Sequence, residues 1–312
     1  MNENKRPLVS IMIITYNQEE FIAETIESCL SQTYENIEII VGDDASKDRT
    51  PSILMEYKNK YPEKIKLFLN KKNVGITRNF NNILKECKGK YIAWLGGDDR
   101  FLPTKIEKQV KYLENNSDKI ICYHSVRTFR NKTEETLGYM PRKDTSKYVD
   151  TDSLVREGCF LGGCSVMHRN IGLLCDEDIP IASDWLYWIE LSYKGDLGYI
   201  DEVLSEYRRH EMNITQNTKL DTIYKEQLLT LQKVKAENLK DSNSLFIGKI
   251  RVELMLCTLC LRSEDYKKSL SYLENINFKK LGYFNKIFLL KILLKFRLGK
   301  ILKKYFMNRT KY

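Results

Sequence analysis

Four times between Val9 and Leu113 a continuous apolar, β-branched run is followed by a helical pattern of 10 to 15 residues. VSIMIIT (9–15) precedes a helix expected from about Gln18 to Ser31, and IEIIVG (37–42) precedes one from about Arg49 to Lys60. IKLFLN (65–70) precedes Ile76 to Cys87, and YIAWL (91–95) precedes Pro103 to Leu113, with the proline suited to a first helical turn. A strand that is apolar at every residue has no wet face and must be covered on both sides. Such strands joined by helices build a doubly wound, mostly parallel α/β sheet, and ligands of that architecture sit beyond the carboxyl ends of the strands.

Polar groups gather at that rim. Thr15-Tyr16-Asn17 follow the first strand, and Asp43-Asp44-Ala45-Ser46-Lys47-Asp48 follow the second. Asn73-Val74-Gly75, leading to Arg78, follow the third, and Gly96-Gly97-Asp98-Asp99 follow the fourth. Adjacent carboxylates repel, so they persist where a cation joins them to a ligand or where the loop is simply wet. Neither the dinucleotide fingerprint GxGxxG nor the P-loop GxxxxGK[ST] occurs at these ends. A nucleotide can bind without either. An aromatic ring such as Tyr16 can stack on a base, and a carboxylate such as Asp44 can accept from a base N–H. Mg²⁺ or Mn²⁺ bridges one or two carboxylates to phosphate oxygens. Asp98 and Asp99 supply such carboxylates, and the glycines before them allow close approach of a bulky ligand.

Beyond about Asn213 the pattern turns helical, over Thr222 to Asn238, Ser244 to Arg262 and Ser263 to Glu274. The expected division is an α/β domain over 1–214 and a small all-α region over 215–312. The helices around Leu254 to Leu273 faintly resemble one helical-repeat hairpin, too little for an array. Of 51 Lys and Arg residues, eleven lie between Phe278 and Tyr312, a stretch without Asp or Glu; the other forty face 42 acidic groups. The net charge of +9 therefore belongs to the tail, which argues against a nucleic-acid-binding core. The tail segment 284–306 mixes lysines with leucines and phenylalanines. One reading lays it on an anionic membrane surface; the other docks its apolar side on the preceding helices or a second subunit. Cosedimentation with anionic vesicles that is lost at high salt is the outcome of the first reading.

The polar N-terminus carries no secretory pattern, and no apolar run reaches the roughly 18 residues of a membrane span. The eight cysteines are scattered, several inside apolar runs, as reduced core thiols of a cytoplasmic protein would be. Cys257 and Cys260 form a lone CxxC in a helical pattern without a second pair, which reads as two core thiols rather than a zinc site.

TYNQEEFIAETIESCLSQTYENIEIIVGDDASKDRT (15–50), NVGITRNFN (73–81), YIAWLGGDDRFLP (91–103), SDW (183–185) and YRRH (207–210) together resemble the inverting glycosyltransferases of family 2, over about residues 7–212. The resemblance implies a GT-A type α/β fold. It implies that Thr15 and Tyr16 wall a uracil pocket, that Asp44 accepts from the base N3–H, and that Arg78 lies against the nucleotide. It gives Asp98 to the ribose, Asp99 to a Mn²⁺ or Mg²⁺ ion on the diphosphate, His210 to the neighbourhood of that ion, and Asp184 to the role of catalytic base. The family's metal motif is often written with Asp at its first and third positions; Gly97-Asp98-Asp99 departs from that, so a single inner-sphere carboxylate is expected. The implied activity moves sugar from a nucleoside-diphosphate donor, UDP above all, to a glycan or lipid-linked acceptor. The implied setting is bacterial surface polysaccharide (capsule, lipopolysaccharide or cell-wall glycan), at the inner face of the plasma membrane.

Blander readings stand beside these. Asp43 is expected to satisfy loop amides and Asp48 to cap the next helix; Asp184 could be an N-cap, and Tyr16 a half-buried aromatic at a strand end. Gly162-Gly163-Cys164-Ser165 reads as a turn before another strand. A nucleotidyltransferase making the activated sugar would show a Gly-rich basic loop after the first strand, and Thr15-Tyr16-Asn17-Gln18-Glu19 is neither. A non-catalytic sugar-nucleotide scaffold would have no use for Asp44, Asp99 and Asp184 together.

Overall fold

The computed structural model describes residues 6–141, 149–211, 213 and 220–274. Strands β1 (Val9–Thr15), β2 (Ile37–Asp43), β3 (Ile65–Leu69) and β4 (Tyr91–Gly96) pair in parallel in the order β3-β2-β1-β4. Helices α1 (Ile22–Leu30), α2 (Thr50–Lys60) and α3 (Ile76–Leu84) connect them. A short β5 (Arg100–Phe101) leads into α4 (Lys105–Asn115). The first helix begins four residues later than the periodicity suggests. Gln18 and Glu19 give their backbone N–H groups to Thr50 Oγ1 (2.9 Å) and Asp48 Oδ2 (3.0 Å) instead of starting a turn.

The second half of the sheet has no clear sequence signature. β6 (Lys119–Arg130) carries β7 (Thr136–Met140) as a hairpin partner. After α5 (Thr151–Glu157), the three-residue β8 (Met167–Arg169) inserts antiparallel between β4 and β6. After α6 (Ser183–Ser192), β9 (Asp196–Arg209) runs parallel to β6 and takes β5 on its far side. Six of the nine strands, β1 to β4, β6 and β9, therefore run one way among the described residues. This is the doubly wound, mostly parallel α/β sheet expected.

Alternate strand residues feed two cores. Val9, Ile11 and Ile13 pack with Ile22, Ile26 and Ile106 on one face; Met12, Ile40 and Trp94 pack with Ile83 and the aromatic face of α6 on the other. Trp94 is the hub of the second core, with ring centroids 4.6 Å from Trp188, 5.1 Å from Tyr187 and 4.5 Å from Phe80. Its indole N–H donates to His168 Nε2 at 3.0 Å. Burial pushes His168 down to about 4, so the ring stays a neutral acceptor.

Helices α7 (Leu220–Lys233), α8 (Ser244–Arg262) and α9 (Tyr266–Glu274) extend that same core: Leu231, Val234, Val252 and Leu256 join Leu154, Val155 and Trp185 in one cluster. All eight cysteines are free. Cys257 and Cys260 are buried on α8, and Cys257 Sγ lies 3.0 Å from Ser269 Oγ, so this pair is a packing feature. Among the described residues no helix is long and apolar enough to cross a membrane. The basic segment 284–306 lies outside the described residues.

Gly42 on β2 sets how closely α3 approaches the sheet. A Cβ there would sit 2.7 Å from Asn79 Oδ1 and 2.9 Å from Ile83 Cγ2, and the Asn79 amide donates to the Gly42 carbonyl at 2.9 Å. Gly42→Ala forces α3 outward. We expect a loss of about 1–3 kcal/mol, read as a lower urea midpoint at unchanged m-value.

Candidate active site

The loops after β1 and β2 are sewn together at the rim. The Asp44 N–H donates to Thr15 O (3.0 Å). Asn17, in the left-handed region at φ 53°, donates its N–H to Ser46 Oγ (2.8 Å) and accepts from Lys47 N through its side chain (2.7 Å). Asp43 is buried and accepts from the amide and hydroxyl of Ser46; burial lifts its carboxyl above the ordinary range. Asp48 accepts from Glu19 N (3.0 Å) and from Thr50 N (2.9 Å) at the first turn of α2. Thr15 is buried with its hydroxyl on Gln18 Oε1 (2.8 Å), while the neighbouring Tyr16 ring is 45% exposed.

Asp44 closes the loop after β3. Its Oδ1 accepts from Val74 N (2.8 Å) and Asn70 Nδ2 (3.1 Å), and its Oδ2 accepts from Gly75 N (2.9 Å). Gly75 stands at φ 89°, where an L side chain is strained. A carboxylate offers about four acceptor positions, so three bonds leave one for a ligand.

The acidic turn after β4 separates its two aspartates. Asp99 faces inward, 5% exposed, and its Oδ1 accepts from the backbone N–H of Arg208 at 3.0 Å. Burial first, and the Asp98 charge second, raise its carboxyl well above the usual range, against the bond from Arg208. Asp98 faces His210: its Oδ2 lies 2.9 Å from His210 Nε2 and 3.1 Å from Asn213 Nδ2. The expectation joined His210 and Asp99 at one ion; in the fold the imidazole meets Asp98, because β9 claims Asp99 through its main chain. The glycines also differ from expectation. A Cβ at Gly97 would sit 2.4 Å from Gln18 Oε1 and 2.8 Å from Thr15 Cβ, so this glycine makes room for the β1 loop rather than for a ligand.

Arg78 and Asp184 meet through their neighbours. Thr77 bonds Ile179 O (2.6 Å) and Ser183 Oγ (2.8 Å), which ties the start of α3 to the start of α6. Arg78 pairs with Glu177 at 3.1 Å, and both side chains are exposed. Such a surface pair is worth at most about 1 kcal/mol and yields readily to a phosphate. Asp184 lies in the first turn of α6, with Ala182 at the N-cap position, so it is not the cap. Its Oδ1 accepts from Trp185 N (2.9 Å), and Cys159 Sγ stands 3.8 Å from Oδ2. Burial raises the Asp184 carboxyl above the ordinary aspartate range, which makes its ionised form a stronger base.

Arg208 was not singled out by sequence. Its backbone holds Asp99, its Nε donates to Asp98 O (2.9 Å), and its guanidinium is held by Glu24 and by Asn131 Oδ1 (3.2 Å). The YRRH stretch entered only through the resemblance, and a main-chain bond leaves no side-chain signature. Thr77→Val removes both bonds to the α6 segment; we expect a loss of about 1–3 kcal/mol in denaturant unfolding.

A sequence profile for Glycosyl transferase family 2 matches residues 10–171. An uncharacterized protein of Mycobacterium tuberculosis is 33% identical over 221 residues, 68% of this chain and 62% of that protein; the match thus spans under two thirds of this relative's length. An uncharacterized glycosyltransferase of Rickettsia prowazekii is 33% identical over 262 residues, 80% of each chain. Among solved structures, Staphylococcus aureus TarS in complex with UDP-GlcNAc superposes with a TM-score of 0.59 at 17% identity, covering 85% of this chain and 88% of that one. The mannosyltransferase PcManGT of Pyrobaculum calidifontis, in complex with GDP-Man and Mn²⁺, gives 0.58 at 14% identity, covering 96% and 87%. These two likenesses are of fold. With the profile spanning half of its length and a relative at one-third identity over four fifths of it, this chain belongs to glycosyl transferase family 2.

Proposed function

We propose that the chain is a glycosyltransferase that passes a sugar from a nucleoside-diphosphate donor, a uridine one, to an acceptor hydroxyl with inversion. The observation that carries this reading is the separation of roles at one rim. Asp98 and His210 converge at 2.9 Å, while a half-buried carboxylate with a raised pKa, Asp184, stands on a different element tied to the same rim. The nucleotide sugars named with TarS and PcManGT support the donor class, and the two different bases leave uridine resting on the resemblance of Thr15, Tyr16 and Asp44.

The residues fit a divalent cation. Asp98 offers an oxygen and His210 a ring nitrogen, and the other ring nitrogen, Nδ1, is buried without a partner. Among the described residues no cluster of three or more His, Cys, Asp or Glu could hold an ion by itself, so diphosphate oxygens would complete the shell. A mixed oxygen and imidazole pair suits Mn²⁺ better than Mg²⁺. When bound, such an ion neutralises charge on the departing diphosphate. We assign Asp98 with His210 to this role and keep Asp99 as the buried strut beneath them.

The chain's own groups do the rest. Tyr16 offers an exposed face to the base, Thr15 backs it, and Asp44 uses its remaining lone pair on a base N–H. Arg78 exchanges Glu177 for phosphate. The acceptor oxygen attacks C1 as the C1–O bond to phosphate breaks, the bonding pair leaves with the diphosphate, and the acceptor proton passes to Asp184. The acceptor is proposed to be a glycan or lipid-linked sugar of bacterial surface polysaccharide. The proposed division keeps 1–214 as the catalytic body and 215–312 as a second region, and assigns its basic tail, outside the described residues, to an anionic membrane face or to protein.

A donor screen with Mn²⁺ and NMR of the product tests this, with an inverted anomeric centre expected; a retained one overturns the single displacement. Asp98→Asn and His210→Gln should each lower metal-dependent turnover by about 10- to 100-fold, whereas Asp99→Asn keeps an acceptor for Arg208 N and should retain donor binding. Asp184→Asn should leave donor affinity within about twofold and lower kcat by about 10²- to 10⁴-fold. Because Asp184 must be ionised to take a proton and its pKa is raised, wild-type kcat should rise with pH along an acid limb above the ordinary aspartate range.

A further inference from the structure

The segment leading into the helix that carries Asp184 is held by two other helices. Thr77 holds Ile179 O and Ser183 Oγ from α3, and its own N–H reaches Pro180 O at 3.3 Å. In addition, a single oxygen of Glu226 on α7, Oε2, accepts from the backbone N–H groups of Ile181 (3.1 Å) and Ala182 (2.8 Å). Farther along α7, Lys233 holds Asp176 and Asp178, each at 2.7 Å, at the front of the same loop.

The first amides of a helix have no partner within it, and a carboxylate there answers both the missing bonds and the positive end of the helix dipole. No side chain caps α6 from its own N-cap residue, Ala182. Glu226, on a distant helix, instead bonds the N-cap amide of Ala182 and the amide before it, and it is 7% exposed, so its placement is enforced by packing. We infer that Glu226 is a positioning residue for the reaction: it fixes the start of α6, and with it the direction of Asp184. This rests on the reading of Asp184 as the base.

Charge acts in the same direction as geometry. Burial is the largest cause of the raised Asp184 pKa, and the charge of Glu226 adds to it. The other ionisable groups around Asp184 are the thiols of Cys159, in the loop after α5, and of Cys175, which Glu190 of α6 also influences. Arg251 of α8 stands behind Cys159, donating to Arg156 O at 3.1 Å, with Tyr224 of α7 near it. Glu226 is the acidic group among them that bonds the backbone leading into α6. It also lies outside the segment 10–171 that the family profile matches.

The test uses the full chain. Glu226→Gln keeps an oxygen for the two amides and removes the charge. The acid limb of kcat should move to lower pH, with donor KM within about twofold. Glu226→Ala removes both; kcat should fall about tenfold or more at nearly constant KM, and Glu226→Asp should recover part of the loss. A merely structural role would lower the melting temperature of these variants and leave the acid limb in place, which overturns the inference. Independently of turnover, ¹³C-carboxyl NMR, assigned with Asp184→Asn, should show Asp184 titrating at lower pH in Glu226→Gln than in wild type. An unmoved titration overturns the inference; a moved titration in a protein that transfers no sugar keeps the positioning and removes the transferase reading. Should the variants not fold, wild-type hydrogen exchange decides: slow exchange at Ile181 and Ala182 is expected, and unprotected amides there refute the contact.

Discussion

Three hydrogen bonds to one buried carboxylate hold the rim together. Asp44 takes Val74 N, Gly75 N and the Asn70 amide, and so pins the loop after β3 to the end of β2. Burying an ionised carboxylate is costly unless it is bonded, and bonds to a charged group contribute about 1.5–3 kcal/mol each. The pinned residue is Gly75, and the next residue begins α3. From there Thr77 reaches the α6 segment, so the place of Asp184 depends on a bond made at another strand end. The rim is one connected frame rather than a set of separate loops.

The adjacent Asp98 and Asp99 pose an electrostatic problem that the fold resolves by turning them apart. β9 satisfies Asp99 from beneath with a backbone N–H, while Asp98 reaches His210 and Asn213. The remaining repulsion appears in the raised Asp99 pKa, second to burial as its cause. Arg208 touches both, by its main chain on one and by its guanidinium on the carbonyl of the other, and Glu24 on α1 holds that guanidinium in turn. One residue thereby transmits the position of one helix, α1, and one strand, β9, to the acidic turn.

The C-terminal helices share the core that surrounds Trp94, and α7 reaches back to the backbone before Asp184. The family profile ends at 171, yet Asp184, His210 and Glu226 all lie beyond it. Thr15, Tyr16, Asp44, Arg78 and the acidic turn come from the matched part, and Asp184 and the His210 imidazole from the later part.

The four leading strands, their helices and the polar rim were legible because each depends on local pattern: a strand buried on both faces must be apolar throughout, and rim loops must be polar. The second half of the sheet was not, since β8 is three residues long and is stabilised by β4 and β6 rather than by its own propensity. The sequence by itself determined that Asp98 and Asp99 follow a strand and that Asp184 lies near the start of a helix. Only the tertiary structure decided that His210 meets Asp98, that Gly97 yields space to Thr15, and that Glu226 supports Asp184. Those outcomes are set by hydrogen bonds between residues far apart in the chain, such as the Arg208 N–H on Asp99, 109 positions away, and periodicity carries no record of such pairs.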